Sequence, residues 1–91
     1  MSWQLIYTHQ YTRRASRFIK QHPEMLNQYA KTLALLEINP HHPSLRLHSL
    51  KGSLEGLYSV SINLKYRLTL EMLITEHAIV LINIGDYDQV Y

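Results

Sequence analysis

Side chains that handle phosphate and protons recur through the second half of this sequence, at spacings a β-sheet could gather. Arg46, His48 and Lys51 come first, then Ser59 and Ser61, then Lys65 and Arg67, and finally Tyr87 and Tyr91. Residues two apart on a strand share a face. If helices cover one face of a sheet, these side chains can collect on the other. Such a face is cationic and aromatic together, which suits single-stranded RNA: cations take the phosphates and rings stack on the bases. Cutting RNA without a metal needs three groups: a base for the 2′-hydroxyl, a cation for the charge building on the phosphate, and an acid for the leaving 5′-oxygen. Arginine meets a phosphate with two parallel bonds. Histidine, lysine or tyrosine can exchange the protons.

Other chemistries find less support. The chain has no cysteine, so it has no disulfide framework, thiolate nucleophile or cysteine metal site. His41-His42 with His48 is the densest histidine group. Adjacent residues on an extended chain point opposite ways, and no carboxylate lies close by, whereas a structural zinc normally needs four ligands. No metal and no cofactor is expected. Neither Ser59 nor Ser61 sits in a Gly-x-Ser-x-Gly elbow, and Gly52, Gly56 and Gly85 are too scattered for a phosphate loop. Asp86 and Asp88 read as turn and capping residues rather than an acid/base pair.

The elements that must position these side chains follow from periodicity. Trp3, Leu5 and Tyr7 alternate with Gln4 and Ile6, as in a short strand. Tyr11, Ala15, Phe18 and Ile19 then recur at helical spacing, with Arg13, Arg14, Arg17 and Lys20 mainly on other faces. Pro23 ends this helix and opens the next, whose stripe is Leu26, Tyr29, Ala30, Leu33 and Leu36. So tight a junction predicts an antiparallel helical hairpin. Asn39-Pro40-His41-His42-Pro43-Ser44 breaks the helix. Beyond it the period is two: Leu45, Leu47 and Ser49 face one way, Arg46, His48 and Leu50 the other. Tyr58, Val60 and Ile62 alternate with Ser59 and Ser61 in a half-buried strand, and Asn63-Leu64-Lys65 turns into a strand over residues 66–72. Residues 78–84 are apolar on both faces, as a central strand is. The expected fold class is α+β: an N-terminal strand, the hairpin, then a three- to four-stranded antiparallel sheet with helices on one face.

A length of 91 residues holds one domain, spanning residues 1–91. A chain this size buries only roughly 60–65% of the surface its unfolded form exposes, so its core is thin. With 46% apolar and 18% charged residues it is a folding composition, not a disordered one. The net charge of +2 is unevenly spread: residues 1–54 carry seven bases against two acids, the remainder two bases against five acids. A one-sided basic segment suits a polyanion, though a solvated helix face has the same composition. The longest apolar run, Ala78 to Ile82, is far short of the roughly 18 residues that cross a bilayer. The opening residues lack the pattern of a signal peptide, and a cytoplasmic protein with no membrane contact is expected.

Several segments in series resemble the RelE/ParE superfamily of toxins. They are Asn39-Pro40-His41-His42-Pro43-Ser44-Leu45-Arg46-Leu47-His48-Ser49-Leu50-Lys51-Gly52, then Leu54-Glu55-Gly56-Leu57-Tyr58-Ser59-Val60, then Tyr66-Arg67-Leu68, and the ending Ile84-Gly85-Asp86-Tyr87-Asp88-Gln89-Val90-Tyr91. The resemblance covers nearly the whole chain. It implies a toxin of a type II toxin–antitoxin module, neutralised by a cognate antitoxin protein. It also implies a metal-independent endoribonuclease that cuts mRNA on the ribosome, as RelE, YoeB and YafQ types do. Arg67 is similar to the arginine such nucleases set against the scissile phosphate. His48 resembles the histidine that YafQ types carry before a Leu-x-Gly, and Tyr91 resembles their terminal aromatic. Tyr87 stands where relatives tend to have histidine, and Ser59 and Ser61 stand where RelE types carry two lysines.

The catalytic candidates are therefore Arg67, Tyr87, His48 and Tyr91, with Arg46, Lys51, Lys65, Ser59 and Ser61 as RNA contacts. The departures at Tyr87, Ser59 and Ser61 keep two alternatives open: a ParE-type inhibitor of DNA gyrase, or an inert homologue that only binds its antitoxin. An acidic antitoxin segment laid over Arg13, Arg14, Arg17 and Lys20, with a strand added to the sheet edge, is the expected mode of neutralisation.

Overall fold

The computed structural model describes residues 2–86. It contains β1 (Gln4–Tyr7), α1 (His9–Gln21), α2 (Leu26–Ile38), β2 (His48–Ser49), β3 (Tyr58–Ser61), β4 (Tyr66–Leu73) and β5 (Ala78–Asp86). The five strands form one sheet in the order β1-β5-β4-β3-β2. β2 to β5 are antiparallel neighbours, and β1 joins the sheet by pairing parallel with β5. The α+β order is the one read from the sequence. Counting β1, the sheet has one or two strands more than the antiparallel set expected.

Local chemistry fixes the ends of the first helix. Thr8 is extended, and its hydroxyl accepts from the Tyr11 amide at 3.1 Å, capping α1. A cap of this kind is worth about 1 kcal/mol. Thr8→Ala should lower stability by that amount in urea unfolding, with an unchanged m-value. Tyr11, Ala15 and Phe18 are buried as the spacing predicts. A 3-10 turn, Pro23–Met25, links α1 to α2. The Tyr11 and Tyr29 hydroxyls, 2.9 Å apart, tie the two helices together.

The expected stripe of α2 needs correction. Leu36 is fully buried, but Leu26 and Ala30 are exposed, and Thr32 is buried in their stead. Its hydroxyl donates to the Gln28 carbonyl at 2.9 Å, so this polar residue enters the core with its bond already made. The expected strand from Leu45 to Leu50 is also corrected. Pro43–Leu45 is a 3-10 turn, Arg46 is left-handed, and only His48 and Ser49 pair as β2. His42 explains the turn, since its Nδ1 accepts from the Ser44 amide at 3.2 Å. That bond diverts the backbone from a ladder and drives Leu45 into the core, where it is 2% exposed.

Two devices set the sheet's faces. Asn63 closes the β3–β4 turn without glycine: its Oδ1 accepts from the amides of Lys65 at 2.8 Å and Tyr66 at 2.7 Å. Between β4 and β5, Thr69 pairs with Asn83 but Leu70 with Leu81, so Ile82 is an extra residue. This bulge lets both Leu81 and Ile84, three residues apart, join the core. The core lies between helices and sheet, with Tyr11, Phe18 and Leu36 meeting Val60, Leu68, Leu70 and Ile79. No helix is long and apolar enough to cross a membrane.

Candidate functional site

Register alone assembles a polar row. His48 stands opposite Ser59, Ser59 opposite Thr69, and Thr69 opposite Asn83, across four strands. Ser61 and Arg67 are opposite each other in the next row. Directly opposed residues share a face. Val60, Leu68 and Ile84 alternate with these positions and belong to the core. The polar rows are therefore on the sheet face turned away from the helices.

Arg67 is half-buried, and its Nη1 donates to the Ser61 hydroxyl at 2.7 Å. A short charge-assisted bond of this kind holds the guanidinium plane in a set direction. His48 is exposed, and its Nδ1–H donates to the Arg46 carbonyl at 3.1 Å. A carbonyl can only accept, so the neutral ring keeps its proton on Nδ1 and its lone pair on Nε2. Nε2 is thus prepared to take a proton. Two strand spacings of about 4.8 Å and one row of about 6.8 Å put the Cα atoms of His48 and Arg67 roughly 12 Å apart. At that separation the side chains can flank one substrate group without touching each other.

Arg46 adds a further cation. It closes the 3-10 turn with φ 52°, a left-handed conformation that costs a non-glycine residue energy and recurs at functional positions. Its side chain lines a hollow of about 310 Å³ with Gln28, Ser44, Ser61 and the turn residues 62–64. Ser61, which accepts from Arg67, lines the same hollow as Arg46.

The other expected residues are placed differently. Ser59 is fully buried, and neither its hydroxyl nor that of Thr69 has a hydrogen-bond partner among the described residues. Lys65 holds its Nζ 5.4 Å above the ring of Tyr66, which packs edge-on against Phe18 on the helix side of the sheet. Lys51 is exposed just before the 3-10 turn Gly52–Leu54, with no hydrogen bond to the other candidates among the described residues. Tyr87 and Tyr91 lie outside the described residues. Among the described residues, no three His, Asp or Glu side chains gather as metal ligands.

Gln28 and Thr69 were not singled out from the sequence. Thr69 was within reach, because an alternating strand puts it on the face of Arg67. Gln28 carries no local signal; only the packing of α2 beside the β3–β4 turn brings it to Arg46.

No protein-family model matches the chain, and no curated protein sequence does. Solved structures do. YafQ from E. coli strain BL21(DE3) superposes with a TM-score of 0.79 at 15% identity, over 98% of this chain and 98% of that one. YafQ in the E. coli DinJ-YafQ toxin–antitoxin complex gives 0.77 at 17% identity, covering 100% and 99% of the two chains. The fold is that of the YafQ, YoeB and RelE toxins. The YoeB-YefM complex from Staphylococcus aureus extends the likeness, with a TM-score of 0.70 at 20% identity over 93% of this chain and 95% of the other. At such identities it is the RelE-like fold that is shared, with its strand order and helical hairpin. The site's chemistry rests on the residues of this chain.

Proposed function

We propose that this chain is the toxin of a toxin–antitoxin pair and cuts ribosome-bound mRNA without a metal. The observation that carries the reading is the pairing of Arg67 with Ser61 on the helix-free sheet face, beside a His48 whose Nε2 is set to accept a proton. His48 takes the 2′-hydroxyl proton, and Arg67 stabilises charge on the phosphate. Arg46 holds the neighbouring phosphate from its hollow, Tyr87 donates to the leaving oxygen, and Tyr91 stacks on a base. Lys51 and Lys65 hold more distant backbone. The DinJ-YafQ structure is a toxin–antitoxin complex, and YoeB is bound to YefM in the other. They support a cognate antitoxin as partner here; the cytoplasm follows only from the ribosomal target proposed above.

Ser59 favours a second reading. Its burial, and the engagement of Ser61 by Arg67, leave neither serine free to move a proton. A gyrase inhibitor of the ParE type needs surface complementarity and no proton transfer. Primer extension on mRNA from cells expressing the chain separates the two. Ribosome-dependent 3′ ends are expected; gyrase-linked DNA breaks without mRNA cuts would replace the nuclease reading with the second. No growth defect at all would leave only antitoxin binding.

We propose a contact for the antitoxin on the apolar side of the hairpin, in place of the expected one over Arg13, Arg14, Arg17 and Lys20. Tyr7, Ala15, Ile19, Tyr29 and Leu33 line an apolar groove of about 330 Å³ between β1, α1 and α2. An amphipathic antitoxin helix lays its apolar face there. Leu33→Asp, half-buried at that groove, should weaken antitoxin capture at least tenfold while mRNA cleavage continues, measured by pull-down against a cleavage assay.

A further inference from the structure

Beyond Thr69 the helix-free face of the sheet changes character. Glu71 alternates with Leu70 in the core and Met72 packed against it, so it shares the outer face with Arg67 and Thr69. It stands opposite Val80, and Val80 opposite Ile6, in a row across β4, β5 and β1. Leu73 opens the next row beside them. Glu71 is exposed, whereas Ile6, Leu73 and Val80 are half-buried. Among the paired strand residues of this face Glu71 is the one acid. It has no hydrogen bond or ion pair among the described residues. Thr69, between Glu71 and Arg67, is 2% exposed and its hydroxyl has no partner. Four residues of strand put the Cα atoms of Arg67 and Glu71 roughly 14 Å apart.

A carboxylate works against phosphate binding, since within a Debye length of about 8 Å it repels the backbone. What it takes is a hydrogen-bond donor, and the bases of a single strand present such donors on their edges. The apolar row of Val80 and Ile6 gives a base ring a surface to lie on. Cytosine shows an N4 amino group, which a glutamate accepts. Its N3 acceptor is next along the same edge, in place for the unpartnered Thr69 hydroxyl. Uracil carries an O4 acceptor where cytosine carries N4, so two oxygens would meet with no proton between them. We infer that Glu71 is a specificity-determining residue, which selects cytosine over uracil at a nucleotide flanking the phosphate held by Arg67, with the ring laid on Val80 and Ile6. The inference rests on the reading of this face as an RNA site. The strand is then gripped through charge at Arg67 and read by sequence at Glu71, where the phosphate track also ends.

Fluorescence anisotropy of the full chain with labelled RNA strands of about eight nucleotides, all cytosine or all uracil, tests this near neutral pH. The wild type should bind the cytosine strand about tenfold more tightly. Glu71→Gln should cut that ratio to about twofold or less, since a carboxamide can turn its donor to O4 or its acceptor to N4. Removing a negative charge strengthens the binding of both strands alike, so the ratio, not the affinity, carries the result. Glu71 is exposed, and the variant's thermal midpoint should match the wild type. Arg67→Ala should weaken both strands and leave the ratio as it was. A chain that binds without cleaving can pass this test, which keeps its outcome separate from that of the nuclease reading. In primer extension, cytosine should recur at one fixed offset from the 3′ ends, and Glu71→Gln should erase that preference. Equal wild-type affinity for the two strands, or a ratio that survives Glu71→Gln, would overturn the inference. So would mRNA cuts with no base preference at any offset. Tighter binding of an all-adenine strand would assign the edge to a purine and overturn the cytosine reading as well.

Discussion

Replacing Arg67 with alanine should slow mRNA cleavage by about 10²–10³-fold, the usual cost of removing one charge-stabilising group from a prearranged site. The guanidinium is oriented before substrate arrives, because Ser61 accepts from Nη1 at 2.7 Å. Little reorganisation is then left to the moment when charge develops on the phosphate. Arg67→Lys should recover only part of the rate, since an ammonium ion lacks the planar fork that meets two phosphate oxygens. Ser61→Ala removes the orienting bond and leaves the charge, so its effect should fall between wild type and Arg67→Ala, and should appear in kcat more than in KM. His48→Gln should lose activity without changing the affinity for RNA. Unchanged thermal midpoints across the series would assign the losses to chemistry. An Arg67→Ala variant that cleaves at the wild-type rate would remove Arg67 from the mechanism, whatever the fate of the others.

The site was legible to the extent that it rests on alternation. Ser59, Ser61 and Arg67 share a face because strands repeat every two residues, and any reading of residues 58–61 and 66–72 finds this. Burial was not legible. Ser59 alternates with core residues as a solvent-facing residue would, yet it is 0% exposed. Pattern records which way a side chain points, not what lies over it. The same limit misplaced α2, where Thr32 enters the core because an i−4 bond satisfies its hydroxyl. Lys65 follows Asn63 in a turn whose geometry depends on one side-chain oxygen, and that turn carries its ammonium group to Tyr66 rather than toward Arg67. The bulge at Ile82 left only a weak trace: an apolar run on both faces fits a central strand equally well. Fold class survived these local errors because helix and strand periods are separated cleanly by the Pro40–Pro43 break, and the order of elements determines which of them can pair.

Alkaline pH should unfold this protein early, and Tyr11 is the reason. Its ring is 0% exposed, and burial, followed by the neighbouring Tyr29, pushes its hydroxyl pKa well above the ordinary value of 10.0. In the unfolded chain the same hydroxyl titrates near 10. Above that pH the unfolded state gives up a proton that the folded state keeps, so stability is intact below about pH 10 and declines as pH rises further. For a single tyrosine the decline reaches about 1.4 kcal/mol per pH unit. That is steep against a total of about 5–10 kcal/mol for a domain of this size. Tyr29 and Tyr7 are also shifted upward, chiefly by burial, and add smaller slopes because their rings are more exposed. Tyr11→Phe should cost about 1 kcal/mol at neutral pH, since the half-buried Tyr29 hydroxyl can turn to water. Above pH 10 the variant should lose stability more slowly than the wild type, and the two curves should converge or cross. Urea unfolding from about pH 8 to pH 12 measures both. Parallel curves would mean that Tyr11 ionises in the folded state, and its bond to Tyr29 would then be open to solvent rather than the sealed tie between α1 and α2.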